Sequence, residues 1–222
     1  MINDYAVTGI YRSGTTLYYN ILFKLLESVT NKKSIDIPTG VQIDNIRVHK
    51  YHEQCVNLNL QQYKSIYSYR DILDCLSSFI IRDKSTFEDY RMHYYGYNSI
   101  EFINFMISID ESMQNRDGYL EICYEQSINN VESIIDIIAS YYEIDIPESF
   151  DKSQFKIENV KKITDVRKQV SSIDNFHPRH VHNGEIGRWK TYFTEDQKEL
   201  ILSKTNYTDW KYNRYKDFGL AL

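Results

Sequence analysis

Two rhythms of hydrophobic and polar positions alternate along this chain. Tyr5–Asn20, YAVTGIYRSGTTLYYN, reads as a short apolar strand, a glycine-bounded loop and the first turns of a helix. From Thr16 the spacing is helical, with Leu17, Ile21, Leu22, Leu25 and Leu26 on one face at steps of three and four. Asn31–Gly40, polar and carrying Pro38, reads as a loop. Asn45–Tyr51 alternates Ile46 and Val48 with polar residues as a strand does, and Lys64–Tyr69 and Tyr119–Tyr124 read as further strands. Helical spacing returns through Ile100, Ile103, Phe105, Met106 and Ile109, is broken at Gly118, and recurs through Val131, Ile134, Ile135, Ile138 and Tyr141/Tyr142 before Pro147. Asp151–Ser172 reads as a surface helix with a solvated face. Thr194-x-x-Gln197 is a capping box for a last helix seated by Leu200, Ile201 and Leu202. Strands alternating with helices predict an α/β fold with a mostly parallel sheet flanked by helices.

Composition narrows the class. A chain of 222 residues with 42% hydrophobic and 26% charged residues is expected to form one domain, 1–222, with a sizeable core. A formal net charge of −5 argues against a nucleic-acid partner, so an anionic ligand would need local clusters of Arg and Lys. Cys55, Cys75 and Cys123 are scattered and odd in number, which suggests reduced thiols and a cytoplasmic location. No apolar run approaches the roughly 20 residues of a membrane span, and no signal peptide is visible. The 20 tyrosines read mostly as amphipathic residues at element edges, ring packed and hydroxyl wet.

Candidate chemistry begins in the first loop. Gly9-Ile-Tyr-Arg-Ser-Gly14-Thr15-Thr16 has the G-x4-G frame of a phosphate cradle, with backbone N–H groups and a helix N-terminus facing an anion. Thr15 stands where nucleotide triphosphatases need Lys, and the loop's cation is Arg12. Lys50-Tyr51-His52 closes the second strand, and the carboxyl ends of strands rim the ligand crevice of an open α/β sheet. His52 suits a general base near neutral pH, with His49 and Glu53 as rivals. Arg70, at the third strand's end, is followed eight residues on by Ser78, a guanidinium fork and a hydroxyl suited to a phosphate dianion. His177, His180 and His182 cluster without flanking cysteines, which favours no metal.

Arg12-Ser13-Gly14-Thr15-Thr16 after a strand resembles the 5′-phosphosulfate loop of sulfotransferases that use 3′-phosphoadenosine 5′-phosphosulfate (PAPS). The order of motifs resembles that family throughout. Lys50-x-His52 is similar to its base-bearing segment. Arg70 and Ser78, with Asp71 and Asp74, resemble its 3′-phosphate motif, Ile72 standing at the usual proline. Tyr124-Glu125 resembles its Tyr-Glu-Asp element, whose Tyr lies near the nucleotide. Gly184, Gly187, Trp189 and Lys190 match an Arg-Lys-Gly-x-x-Gly-x-Trp-Lys element in which His182-Asn183 replaces Arg-Lys, leaving Arg179 or Arg188 to fill the gap.

The resemblance implies a P-loop-like sulfotransferase fold and transfer of a sulfuryl group from PAPS to a hydroxyl or amine of an acceptor. The tyrosine-rich Thr86–Asn98 segment reads either as a lid or acceptor-side element, which suits a carbohydrate or a phenol, or as an ordinary packed loop. By that implication Arg12, Ser13, Gly14, Thr15 and Thr16 hold the 5′-phosphosulfate, and Arg70, Ser78, Tyr124 and Gly184 hold the rest of the nucleotide. His52 takes the acceptor's proton, Lys50 and Arg12 steady developing charge, and no metal is needed. The rival readings are a kinase-like phosphoryl transferase on the same cradle and a non-catalytic nucleotide-binding module.

Overall fold

The computed structural model describes residues 3–52, 62–92, 95–166 and 184–218. Its strands are β1 (Asn3–Gly9), β2 (Ile35–Ile37), β3 (Gly40–Ile43), β4 (Ile46–Lys50), β5 (Lys64–Tyr69) and β6 (Tyr119–Cys123). They form one six-stranded sheet in the order β2-β3-β4-β1-β5-β6. β1 runs parallel to β4 and β5, and β5 runs parallel to β6. β2 and β3 add an antiparallel edge beside β4, so the sheet is mostly parallel. The residues between the first helix and Gly40, expected as loop, thus include a short strand. Three exposed or half-buried residues, Ile-Asp-Ile, carry too little alternation to announce one.

Helices cover both faces. α1 (Thr15–Thr30) and α5 (Val131–Tyr142) pack on one side, where Leu22, Leu25, Ile135 and Ile138 meet Val7, Val48 and Ile66 of the sheet. On the other side α2 (Ile72–Asp83), α3 (Ser99–Gln114) and α9 (Tyr207–Tyr215) enclose Leu76, Phe79, Phe102, Met106 and Trp210 against Tyr67 and Tyr69. β5 shows why one strand serves both: Ile66 points to the first cluster and Tyr67 and Tyr69 to the second, as period-two alternation requires. A capping box joins Asn98 to Glu101 at the start of α3.

Shorter helices complete the chain: α4 (Tyr124–Ser127), α6 (Ile157–Val166), α7 (Trp189–Tyr192) and α8 (Glu195–Lys204). The Thr194/Gln197 capping box opens α8 as its sequence suggests. Of the residues expected to seat that helix, Ile201 alone is buried, while Leu200 and Leu202 are 41% and 53% exposed. Neighbours in sequence point about 100° apart on a helix, so three consecutive apolar residues cannot share one face. The charged stretch from Asp151 forms a 3-10 helix at Lys152–Phe155 and then α6. The remainder of that expected helix, to Ser172, lies outside the described residues.

The tyrosines also depart from expectation. Tyr18, Tyr19, Tyr67, Tyr69 and Tyr90 are among the most deeply buried side chains. Several hydroxyls end on buried carboxylates rather than in water: Tyr67 donates to Asp110 (2.7 Å), Tyr207 to Asp71 (2.9 Å) and Tyr215 to Glu125 (3.0 Å). Composition cannot show this, because each acid lies far away in sequence.

Phe102 is fully buried, with its ring edge-on to Phe79 and Tyr90 at 5.5 and 5.9 Å. Phe102→Ala is expected to lower stability by about 3–5 kcal/mol, read from urea unfolding.

Candidate active site

β1 leaves the sheet between its parallel neighbours β4 and β5, so the carboxyl ends of three strands converge on the loop that follows Gly9. Val7 is paired with Lys50 and Gly9 with Ser68, which brings residues 43 and 59 apart in sequence side by side. Gly9 allows that approach. A Cβ there would lie 2.3 Å from both the carbonyl oxygen and the Oγ of Ser68. The loop then turns through Arg12 (φ 67°) and Gly14 (φ 89°), both left-handed, before α1 begins. This is the concave N–H arrangement that receives anions. Leu17 is the first α1 residue whose N–H reaches the Gly14 carbonyl (2.7 Å), and the N–H groups of Thr15 and Thr16 precede it at the positive end of the helix.

The cradle's own hydroxyls are spent inside. Ser13 Oγ donates to the Ile10 carbonyl (2.7 Å) and lies 2.8 Å from Ser68 Oγ, with Thr15 Oγ1 3.2 Å from the same Ser68 oxygen. Ser13 and Thr15 therefore stiffen the loop. Ser68, which no motif singled out, is the hub of this cluster.

Arg12 reaches across to α2 and donates from Nε to Ser78 Oγ at 3.0 Å. Two residues expected at opposite ends of one ligand are thus in contact across 66 positions of sequence. Burial and the charges of Arg82 and Arg70 pull the Arg12 guanidinium down to about 10, so it stays charged at neutral pH. Phe79 borders two guanidinium groups, Arg12 5.8 Å and Arg82 4.6 Å from its ring centre. Lys50 is pushed down to about 8 by burial and then by Arg12. Its ammonium therefore titrates near physiological pH. Cations that depress one another mark a region of positive potential suited to an anion.

His52 follows β4 and leans on the cradle loop. Its ring stacks on Tyr11 with centres 4.7 Å apart and planes inclined by 24°. Burial, then the Lys50 charge, holds its pKa down at about 3, opposed by a hydrogen bond to the Gly9 backbone. Nδ1 is buried and has no hydrogen-bond partner among the described residues. His49, a rival base, is already engaged: Nδ1 lies 2.6 Å from Thr39 Oγ1 and Nε2 3.1 Å from Asp4 Oδ1. It also points to the opposite side of β4 from Lys50, as neighbouring strand residues must. Glu53 lies outside the described residues.

Arg70 closes the far side. It is 8% exposed and lies over the Tyr124 ring at 4.3 Å. Its Nη2 donates to the Glu185 carbonyl (2.8 Å), while Nε is buried without a hydrogen-bond partner among the described residues. A buried guanidinium N–H left open is a site for an added acceptor. Tyr124 in turn packs on Gly14, where a Cβ would meet its Cδ2 at 2.8 Å. One aromatic ring thus separates the cradle from Arg70. Gly184, left-handed at φ 66°, heads the segment that supplies Glu185 and lies beside Ile157 and Ile128.

The acids beside Arg70 do more than start α2. Asp71 is its N-cap, accepting from Leu73 N, and also takes hydrogen bonds from Trp189 Nε1 (3.1 Å), Tyr207 Oη and Lys211 Nζ (2.8 Å). Asp74 is buried and accepts from the N–H groups of Gly187 (2.7 Å) and Trp189 (3.2 Å), with Arg70 at 3.6 Å. Burial pushes the Asp74 carboxyl up, and Arg70 and these two N–H groups pull it back. Glu125, also raised by burial, accepts from Asp71 N (2.8 Å) and Tyr215 Oη. The C-terminal glycines and Trp189 are therefore docked by carboxylates next to the guanidinium. Arg188 instead pairs with Glu185 at 3.3 Å. Arg179, His182, Asn183 and the histidine cluster lie outside the described residues. Among the described residues, no group of three or more His, Cys, Asp or Glu is placed to hold a metal ion, and no helix is long and apolar enough to cross a membrane. Cys75 and Cys123 are buried free thiols.

No family model matches this chain, and no curated protein sequence does. Solved structures do match. Mouse sulfotransferase SULT7A1 complexed with PAP aligns over 96% of this chain and 84% of its own, at 16% identity and a TM-score of 0.59. Retinol dehydratase in complex with androsterone and the inactive cofactor PAP aligns over 99% and 82%, at 13% identity and 0.57. The same enzyme with retinol and PAP gives 99%, 83%, 13% and 0.56. The chain has the sulfotransferase fold. At these identities the likeness is one of backbone architecture, and it extends across nearly the whole chain.

If the two buried aspartates dock the C-terminal segment, Asp74→Ala should expose it. Limited proteolysis is expected to cut Asp74→Ala between Gly184 and Tyr215 while the wild type resists, with about 3–5 kcal/mol lost in urea unfolding.

Proposed function

We propose that this chain, folded as a single domain, is a PAPS-dependent sulfotransferase acting on an acceptor hydroxyl. The observation that carries the reading is the junction of two anion grips: the Arg12 loop touches Ser78, and Arg70, with an open Nε, lies one aromatic ring away from Gly14. A donor carrying phosphate at both ends of one nucleoside fits two such grips. The PAP held by the similarly folded proteins supports the same choice.

In this reading the N–H groups of Gly14, Thr15 and Thr16 receive the 5′-phosphosulfate. Arg12 stabilises charge on the bridging oxygen as the sulfur–oxygen bond to phosphate breaks. His52 removes the acceptor hydroxyl's proton as its oxygen bonds to sulfur, and adenosine 3′,5′-bisphosphate departs. Lys50 pairs with the sulfuryl oxygens. Arg70 and Ser78 take the 3′-phosphate, Tyr124 and Gly184 lying alongside. A histidine with a pKa near 3 is a weak base, but two of the influences holding it there are the charges of Lys50 and Arg12. An anionic donor neutralises both, raising His52 toward its working range when the donor is bound.

For the acceptor, Tyr95 and Tyr97 stack at 5.3 Å with Phe105 beside them, and Tyr95 is 44% exposed. Such a face suits the apolar side of a sugar ring, which supports a carbohydrate acceptor. The androsterone and retinol bound by the dehydratase support small molecules more broadly.

Two measurements test this reading. Adenosine 3′,5′-bisphosphate is expected to bind roughly 10–100-fold more tightly than AMP by calorimetry, a margin that Arg70→Ala removes. Tighter binding of ADP with Mg²⁺ would favour a kinase instead. His52→Ala is expected to lose about 10²–10⁴ in kcat for transfer of labelled sulfate. Because acid protonates the base, rate should fall as pH drops, and the fall in kcat should come at higher pH than that in kcat/KM. Near-normal turnover of His52→Ala would remove this residue from the mechanism.

A further inference from the structure

His52 is attached to the donor loop twice. It bonds to the Gly9 backbone, and its ring lies on Tyr11, two residues further along the same loop. Parallel pairing of β1 with β4 makes this possible, since Tyr51 N–H still reaches the Val7 carbonyl (3.0 Å) and so delivers His52 beside Gly9. Tyr11 is itself fixed. It is 8% exposed, and its ring meets Phe79 of α2 at 5.9 Å, the residue next to Ser78. An imidazole stacked on a fixed ring loses rotation about its χ2 bond, which is otherwise broad.

We propose that Tyr11 is the positioning residue for His52: its ring holds the imidazole in one plane against the donor loop, with Nδ1 left uncommitted for the acceptor's proton. This rests on the sulfotransferase reading given above. The consequence is that donor site and base move as one unit. A loop displaced from its anion-binding shape carries Tyr11 with it and releases the base, so proton removal is coupled to correct seating of the donor. The charged groups facing His52 are Lys50 from β4 and Arg12 from the loop, both cationic. The Tyr11 ring acts on His52 by excluding water and fixing its orientation.

The test compares Tyr11→Phe, which keeps the ring, with Tyr11→Leu, which removes it. Tyr11→Met is the reserve should the Leu variant not fold. Histidine resonances followed by NMR against pH, assigned by loss of one signal in His52→Gln, read the imidazole directly without turnover. The expected result is that His52 titrates at higher pH in Tyr11→Leu, toward the usual value of about 6.5, and as in wild type in Tyr11→Phe. Sulfate transfer should show kcat lowered about tenfold or more in Tyr11→Leu, part of what a general base contributes, with affinity for adenosine 3′,5′-bisphosphate within about twofold of wild type. An unchanged His52 titration in the Leu and Met variants overturns the proposal. So does a loss of adenosine 3′,5′-bisphosphate affinity as large as the loss of kcat, because Tyr11 would then serve the cradle and not the base. Failure of the sulfotransferase reading shows differently: the titration shifts as expected while no variant, nor the wild type, transfers sulfate.

Discussion

The cost of burying like charges side by side governs this molecule. Arg12 and Lys50 sit at adjacent strand ends, each depressed by its own desolvation and by cationic neighbours. Nothing about such a cluster favours folding. It persists because the sheet and two helices around it are fixed independently, by apolar clusters on both faces. A polyanion arriving in this region meets charges that are already dehydrated and oriented, which is the condition under which electrostatic stabilisation of a transferring group is strongest.

Arg70 is treated in the opposite way. Burial disfavours its charge, but Tyr124, Asp74 and Glu125 lie on the other side of the balance, and its pKa is raised. Asp74 also binds the backbone N–H groups of Gly187 and Trp189, Glu125 binds the hydroxyl of Tyr215, and the neighbouring Asp71 binds that of Tyr207. One acidic cluster therefore keeps a guanidinium charged and docks the last part of the chain against it. Asp71 makes this economical: as N-cap of α2 it satisfies a helix terminus, and with its second oxygen it reaches Lys211 and Trp189.

Between these two regions lies a layer of rings. Tyr124 touches both Gly14 and Arg70, and Phe79 borders both Arg12 and Arg82. Aromatic faces can border cations without neutralising them, which carboxylates cannot do. Rings therefore line the cations while preserving the positive field. The tyrosine-rich composition acquires a physical purpose here that the edge-filler interpretation did not contain.

Local sequence alone determined the elements and the chemistry carried on them. The G-x4-G loop, the helical spacing after it, the capping boxes and the strand ends at Lys50 and Arg70 all depend on contacts within a few residues, so they are legible without a fold. The short edge strand β2 and the exposure of Leu200 and Leu202 were not, since pairing at a sheet edge and the face a helix turns inward are settled by neighbours distant in sequence. Only the tertiary structure decided that Arg12 touches Ser78, that Ser68 locks the cradle, that His52 rests on Tyr11 while His49 is held by Asp4, and that Asp74 binds the C-terminal turn. Each of these joins side chains on different elements, and parallel pairing of β1 with β4 and β5 is what brings those elements into reach.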